Sequence, residues 1–484
     1  MILSVSSSLK WVEENIVWGV PLIVLILLVG IVLTIKLRFV QFRHLGSSLK
    51  YMVRNDENGS GEVSSFGALC ISMAATLGTG KIIGVATAIY WGGPGALFWM
   101  ILAAIFGMAT KYAEGFLAIK YRKIEKNGTV IGGPFTYIEE GMGHKWKWLA
   151  VMFAIFGCLA GALGIGTMTQ MNSITDSVKS VVDASVAPEK VAMIAIFGVK
   201  IPVVVLIVAI VITVVSAIAV IGGITRISKV SVVLVPFMAI CYFLVCLAVV
   251  VFNIKSVPSA FVTIFKSAFT LKAGFGAAAG LGILSAMREG VSKGIFSNEA
   301  GLGSSPIALS SAKSNDPVRS GLISMSTTFI DTMVLCLTIG LGIVITGTYK
   351  DSTGINITIN AFTSGLGISK LASSIIVLLS ITTFAFTTII GWNVYGEKCI
   401  AYLFNNNKTA ILIYRIIYII FVGIAPFLTL DLIWTISSIF NGLMALPNLI
   451  ALLALSPVIA RETKKYFRKT PEVETVNNND VTSL

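Results

Sequence analysis

The chain is written as long apolar runs separated by short polar stretches, most of them basic. A soluble amphipathic helix would interleave polar positions every three to four residues, and these runs do not. About twenty consecutive apolar residues suffice to cross the hydrocarbon core of a bilayer. Read with that window, the pattern predicts eleven transmembrane helices, near residues 16–37, 64–92, 95–118, 148–174, 202–223, 230–252, 258–292, 319–347, 370–396, 410–428 and 432–459. Two of them are cut by glycine, the second at Gly78-Thr79-Gly80 and the seventh between Gly274 and Gly282, and Pro447 is a place where the last can divide.

A helix broken inside lipid strands backbone N–H and C=O groups, which is tolerated only where protein or a watery cavity satisfies them. Breaks at matching positions of two halves mark a substrate site near the bilayer midplane. The plainer alternative is a pair of kinked helices packed through small residues.

Composition agrees with the pattern: 56% of residues are hydrophobic, 12% are charged, and the mean hydropathy is +0.89. These values describe an all-α polytopic membrane protein and exclude a soluble domain. The first run is too long for a signal-peptide core and lacks a basic residue close before it or a small-residue cleavage site, so it reads as a retained span. Cys70, Cys158, Cys241, Cys246, Cys336 and Cys399 all fall in or at the edge of apolar runs without metal-ligand spacing, and His44 and His144 are the only histidines. Structural thiols are expected, not a redox or zinc centre.

Charge sets the orientation. The loops after spans one, three, five, seven and nine, with the C-terminal tail, hold 26 of the 36 basic residues, and the opposite side holds nine. The positive-inside rule places the first set in the cytoplasm, the N-terminus outside and the C-terminus inside a cell membrane. The net charge of +13 is therefore a topology signal, and no basic soluble module offers itself to nucleic acid. Residues 1–63 form an extracellular N-terminus, one extra helix and a basic loop. Residues 64–257 and 258–460 form two sets of five spans, and 461–484 a cytoplasmic tail. Because five is odd, the second set is inserted upside down relative to the first, and each set opens on a broken helix. That is the inverted-repeat transporter plan.

At the first break the sequence reads ALCISMAATLGTGKIIGVATAIYWGGPGALFW. Gly80-Lys81 is not a phosphate-binding loop, which would need glycine at Ala75 and Ser or Thr at Ile82, after a strand. The inner half-helix is expected to end near Ala75 to Leu77, leaving carbonyls free. The outer one starts near Thr79, turning N–H groups and the positive end of its dipole toward the gap. A zwitterionic amino acid suits this arrangement, and glycine allows close approach to the backbone. The second break, LKAGFGAAAGLGILSAMREG, offers the same chemistry, with Phe275 as an apolar wall.

In span nine, SITTFAFTTIIGW, Thr383 and Thr387 share one helix face and Thr388 and Trp392 another. Hydroxyls beside freed carbonyls of Ala75 and Gly78 would make an all-oxygen cage for a hard cation. Alternatively these threonines bond back to their own helix. Asp331, near the middle of span eight, is a proton or cation relay, or a partner for Lys81. Glu114 and Glu397 read as solvated or paired charges near Lys111 and Lys398, and Ser297-Asn298-Glu299 as a helix cap or an inner gate.

TLGTGKIIGVATAIYWGGPGALFWM, GMATKYAEG, GIFSNEAGLGSSPIA and TTIIGWNVYGEK strongly resemble the alanine or glycine:cation symporters, a branch of the amino acid/polyamine/organocation superfamily with the LeuT-like 5+5 inverted-repeat fold. The resemblance runs from Trp18 to Ala460. It implies sodium-driven uptake of alanine and glycine, and it places the substrate at Thr76, Gly78, Thr79, Gly80, Gln170, Phe275, Gly280 and Trp392, with sodium at Ala75, Gly78, Thr387 and Thr388. In that family the glycine-threonine-glycine is most often followed by asparagine, and here it is followed by Lys81. An ammonium there opposes the helix dipole and either repels a cation or stands in for one. Lys81, Asp331, Asn298 and Glu299 are thus candidates for coupling or gating.

The expected activity is secondary active transport by alternating access, with sodium co-transported, no covalent cofactor and no catalytic constellation. A proton-coupled or cation-independent carrier on the same fold is the first rival, and a channel or membrane sensor is the rival of another class.

Overall fold

A computed structural model of the chain describes residues 2–54, 59–186, 191–196, 199–269, 282–428 and 430–469. Nine of its helices are long and apolar enough to cross a membrane, and a bent pair counted as one makes ten among the described residues. These ten coincide with expected spans one to six and eight to eleven. The seventh runs across residues 270–281, which lie outside the described residues together with Phe275 and Gly280.

The helices used below are α1 (Val20–Lys36), α2 (Ser65–Thr76), α3 (Ile83–Gly92), α4 (Gly95–Lys120), α5 (Lys147–Leu163), α6 (Met168–Ser185), α7 (Val203–Ile221), α8 (Gly223–Phe252), α9 (Val257–Ala268) and α10 (Gly282–Asn298). They continue with α11 (Pro317–Thr328), α12 (Leu337–Thr346), α13 (Ile355–Leu366), α14 (Lys370–Leu403), α15 (Lys408–Ile424) and α16 (Leu430–Lys469). Helix α16 runs unbroken through Pro447 and Pro457, so Pro447 does not divide the last span.

Three departures from regular helix set up the centre of the bundle. Helices α2 and α3 meet at 55° across Leu77-Gly78 and a 3₁₀ turn, Thr79–Lys81. Between α11 and α12 the chain widens to π geometry over Phe329–Cys336, with Asp331 in its first turn. Such widened turns inside membrane helices recur at functional sites. The third departure has no counterpart in the expected pattern: span four is itself interrupted, because α5 ends at Leu163 and α6 starts at Met168. The signal was the pair Gly164-Ile165-Gly166, the same spacing as at the first break but inside a strongly apolar run.

The all-α expectation also misses two small antiparallel hairpins, Lys123–Ile124 with Val130–Ile131 and Met193–Ile196 with Val199–Pro202. Both are in connections between spans, where open strand edges can be satisfied as they cannot be in lipid.

Helix α4 packs along α10 and α11, while α14 crosses α2, α5 and α6, so the broken segments lie between two rigid walls. The opposite faces of α7, α8 and α15 expose Ile207, Ile210, Val214, Phe237, Ile240 and Ile416. Apolar side chains on that scale suit contact with acyl chains.

Charges gather at the basic end of the bundle. Lys398 pairs with Glu62 at 2.7 Å and donates to the Val130 carbonyl, and Lys120 pairs with Glu462 at 2.6 Å. Among the described residues Arg122 has carbonyl partners in place of a carboxylate. Its guanidinium donates to the carbonyls of Ser60, Ser310, Ala312 and Ser314. Burial pushes that guanidinium down to about 10, so it is still charged at neutral pH. It ties the approach to α2 to the connection after α10.

Candidate transport site

Glycine at position 78 allows the first break to close around other groups. A Cβ built there would lie 2.9 Å from the Thr388 hydroxyl and 3.4 Å from both polar atoms of the Gln170 amide. The Thr388 hydroxyl donates to the Ala74 carbonyl at 2.9 Å. Gly391, one turn along α14, packs directly on Ala75: a Cβ there would come within 2.8 Å of its backbone nitrogen. Small residues thus press α14 against the broken end of α2.

The Gln170 amide reaches the break from α6. Its nitrogen donates to the Ile165 carbonyl freed by the second interruption, at 3.0 Å, and its oxygen accepts the Thr79 N–H at 3.4 Å. Thr79 is therefore the outer half's leading donor, as expected, and its buried hydroxyl has no hydrogen-bond partner among the described residues. Ala75, Gly78, Thr79, Gln170 and Thr388 come together.

The other sequence-predicted residues separate from that group. Thr387 points elsewhere, its hydroxyl donating to Phe384 O at 3.0 Å and lying 3.5 Å from the Met238 sulfur. The physical reason is azimuth, since consecutive helical residues stand about 100° apart and only one of them can face α2. Thr383 likewise bonds back to Leu379 and Ser380. The Thr76 hydroxyl returns to Ser72 and Met73, leaving its carbonyl for other partners. Gly80 faces Phe296 and Ser297 of α10.

Trp392 is fully buried, and its indole N–H donates to Glu299 at 3.1 Å. Glu299 has a left-handed backbone, φ 56°, and also accepts from Ser304. Asn298 caps locally, accepting the Ala300 N–H at 3.0 Å, and donates to Thr332 at 3.1 Å. The segment after α10 is thus a wound strap locked to α14 through Trp392 and to the π stretch through Thr332.

Glu114 corrects the expectation of a solvated or ion-paired charge. It is wholly buried on α4, and one oxygen accepts from Gly301 N at 3.0 Å, Gly303 N at 3.1 Å and Asn448 Nδ2 at 2.7 Å. Lys111 turns instead to the Ser305 hydroxyl at 2.7 Å. Glu397 is paired, but with Arg415 at 2.6 Å and not with Lys398, which is taken by Glu62. Sequence proximity misled both assignments because the partners come from other helices.

Lys81 is fully buried and forms an ion pair with Asp331 at 2.7 Å. The pairing alternative for both residues is the one observed. The ammonium also donates to Ser297 O at 2.7 Å and to the Thr76 carbonyl.

Helices broken around a polar centre in an apolar bundle follow the plan of a membrane carrier. The profile of the sodium:alanine symporter family matches residues 3–480. The chain belongs to that family. It is an amino acid/cation symporter by class, a multi-pass membrane protein and not an enzyme. It is 43% identical over 468 residues to the sodium/alanine symporter AgcS of Methanococcus maripaludis, covering 94% of this chain and 95% of that one. It is 34% identical over 465 residues to the probable sodium/glutamine symporter GlnT of Bacillus subtilis, covering 95% and 90%. The solved structure of MhsT in complex with L-phenylalanine superposes with a TM-score of 0.55 at 11% identity, covering 84% of this chain and 98% of that one. This last likeness concerns the fold alone.

Proposed function

We propose that the chain couples inward movement of sodium to uptake of small neutral amino acids, alanine and glycine, by alternating access. The observation that carries this reading is the convergence at the first break of a backbone N–H, the Gln170 amide and the Thr388 hydroxyl on one small, glycine-lined point. A substrate carboxylate competes with Gln170 for the Thr79 N–H, while a cation takes oxygens of the Ala74 to Gly78 segment and Thr388. Trp392, one turn along α14 from Thr388, adds bulk beside that point. One methylene in an apolar pocket is worth only about 1 to 3 kcal/mol, so alanine and glycine are both accepted. The name of AgcS supports alanine, and that of GlnT marks the family as wider in substrate.

The same reading takes eleven spans in a 5+5 inverted repeat with one helix in front, the N-terminus outside and the C-terminus in the cytoplasm. Labelled alanine uptake into proteoliposomes, with sodium replaced by choline and then with a pH gradient imposed, tests the coupling. Uptake indifferent to sodium but driven by the pH gradient would replace this reading with a proton-coupled carrier.

The two adjacent threonines give a sharper check. Thr388→Ala should raise the sodium concentration for half-maximal uptake on the order of tenfold, equivalent to about 1.4 kcal/mol. Thr387→Ala should change it less than about twofold, because its hydroxyl is spent on its own helix. Equal effects in initial-rate measurements would remove Thr388 from the cation site.

A further inference from the structure

The geometry points to Lys81 as a tethered cation: its ammonium occupies an oxygen cage built from both sides of the bundle, so one ion site of this carrier is filled by the chain itself. The inference rests on the proposed sodium coupling for its consequence, but the cage is argued from contacts alone. Three chain segments supply the oxygens. Thr76 O belongs to the broken end of α2, Ser297 O lies beside the C-terminus of α10, and Asp331 stands in the π stretch between α11 and α12. Both helix ends present carbonyl oxygens at the negative pole of their dipoles, which favours a cation between them.

The carboxylate is itself backed by hydroxyls. Asp331 Oδ2 accepts from Thr332 at 3.0 Å and from Ser297 at 3.4 Å, and Thr332 in turn accepts from Asn298. The three oxygens match the three N–H donors of the ammonium, and carbonyl and carboxylate oxygens are also the ligand type a hard cation takes. An ion pair serving only stability is better replaced by apolar residues in such a setting, since desolvating two charges offsets most of their attraction.

The second cation position is separate. Thr388 donates to Ala74 O on the opposite flank of the same broken end, while the ammonium takes Thr76 O. One break therefore serves two positively charged groups, one exchangeable and one covalently held. The consequence is stoichiometric: wild type binds one sodium per chain, and freeing the cage by Lys81→Ala creates a second site.

Equilibrium binding of radioactive sodium to purified protein, with no amino acid present, reads this directly. Lys81→Ala should bind one more sodium per chain than wild type, and Lys81→Ala with Asp331→Asn should return to the wild-type number. In proteoliposomes the sodium Hill coefficient for alanine uptake should rise from about one to about two. Equal binding by wild type and a monodisperse Lys81→Ala would overturn the inference, and so would two sodium ions bound by wild type, a measurement that needs no variant. Should Lys81→Ala fail to fold, Lys81→Asn carries the same comparison with a polar side chain. A wild type that binds no sodium would sink the proposed coupling, whereas the gain of one site in the variant would still be read against it.

Discussion

Gly78→Ala is expected to abolish measurable uptake, lowering its initial rate on the order of 100-fold, equivalent to about 2.7 kcal/mol, while leaving the protein folded. The backbone at Gly78, φ −94° and ψ −165°, is one that alanine adopts, so the substitution is not a conformational insult. The added methyl group instead lands 2.9 Å from the Thr388 hydroxyl and 3.4 Å from the Gln170 amide. One of these must move, and either displacement costs about 1 to 3 kcal/mol where side chains are closely packed. Thr388 would lose its bond to Ala74 O, and Gln170 its hold on the Thr79 N–H. Initial rates at saturating sodium, taken with a melting temperature, check both halves of the expectation. Near-normal uptake by Gly78→Ala would mean that neither substrate nor cation uses this point.

Glu114→Ala should act on stability first. The lost carboxylate leaves the Gly301 and Gly303 amides and the Asn448 side chain without their acceptor in a fully buried setting. Each unsatisfied buried donor costs about 1 to 3 kcal/mol, so the total for three is on the order of 3 to 9 kcal/mol. That is a large part of the roughly 5 to 15 kcal/mol that holds a typical folded protein together. The strap cannot easily rewind to compensate, since Gly301 and Gly303 are held at φ 89° and 79° and side chains of Leu449 and Pro134 stand close beside them. Size-exclusion profiles and melting temperatures should show Glu114→Ala aggregating or melting far below wild type, and Glu114→Gln, which keeps an acceptor oxygen, lying between them. An alanine variant as stable as wild type would deny Glu114 this structural role.

Much of the architecture was legible because lipid leaves the chain few options. Backbone groups must be satisfied within each span, so apolar runs of about twenty residues become helices wherever they occur. The first break was legible for the same reason, glycine in such a run having to be justified by its surroundings. The interruption at Gly164-Ile165-Gly166 carries a similar glycine pair, but Met168 to Ser185 continues helical after it and the run as a whole reads as one crossing. Its consequence, a buried Ile165 carbonyl freed to orient Gln170, depends on which helix faces the gap.

Residue types and their order determined by themselves that this is a helical membrane carrier with a polar break in its second span, and that a lysine stands at that break with an acid buried in a later span. Only the tertiary structure decided the pairings: that Lys81 meets Asp331 and two carbonyls, that Thr388 and not Thr387 faces α2, that Glu114 holds a strap of backbone amides, and that Glu397 belongs to Arg415. Insertion into lipid is a property of each segment alone and can be summed along the chain. A contact between side chains on different helices depends on the azimuth and depth of both, which no single segment contains.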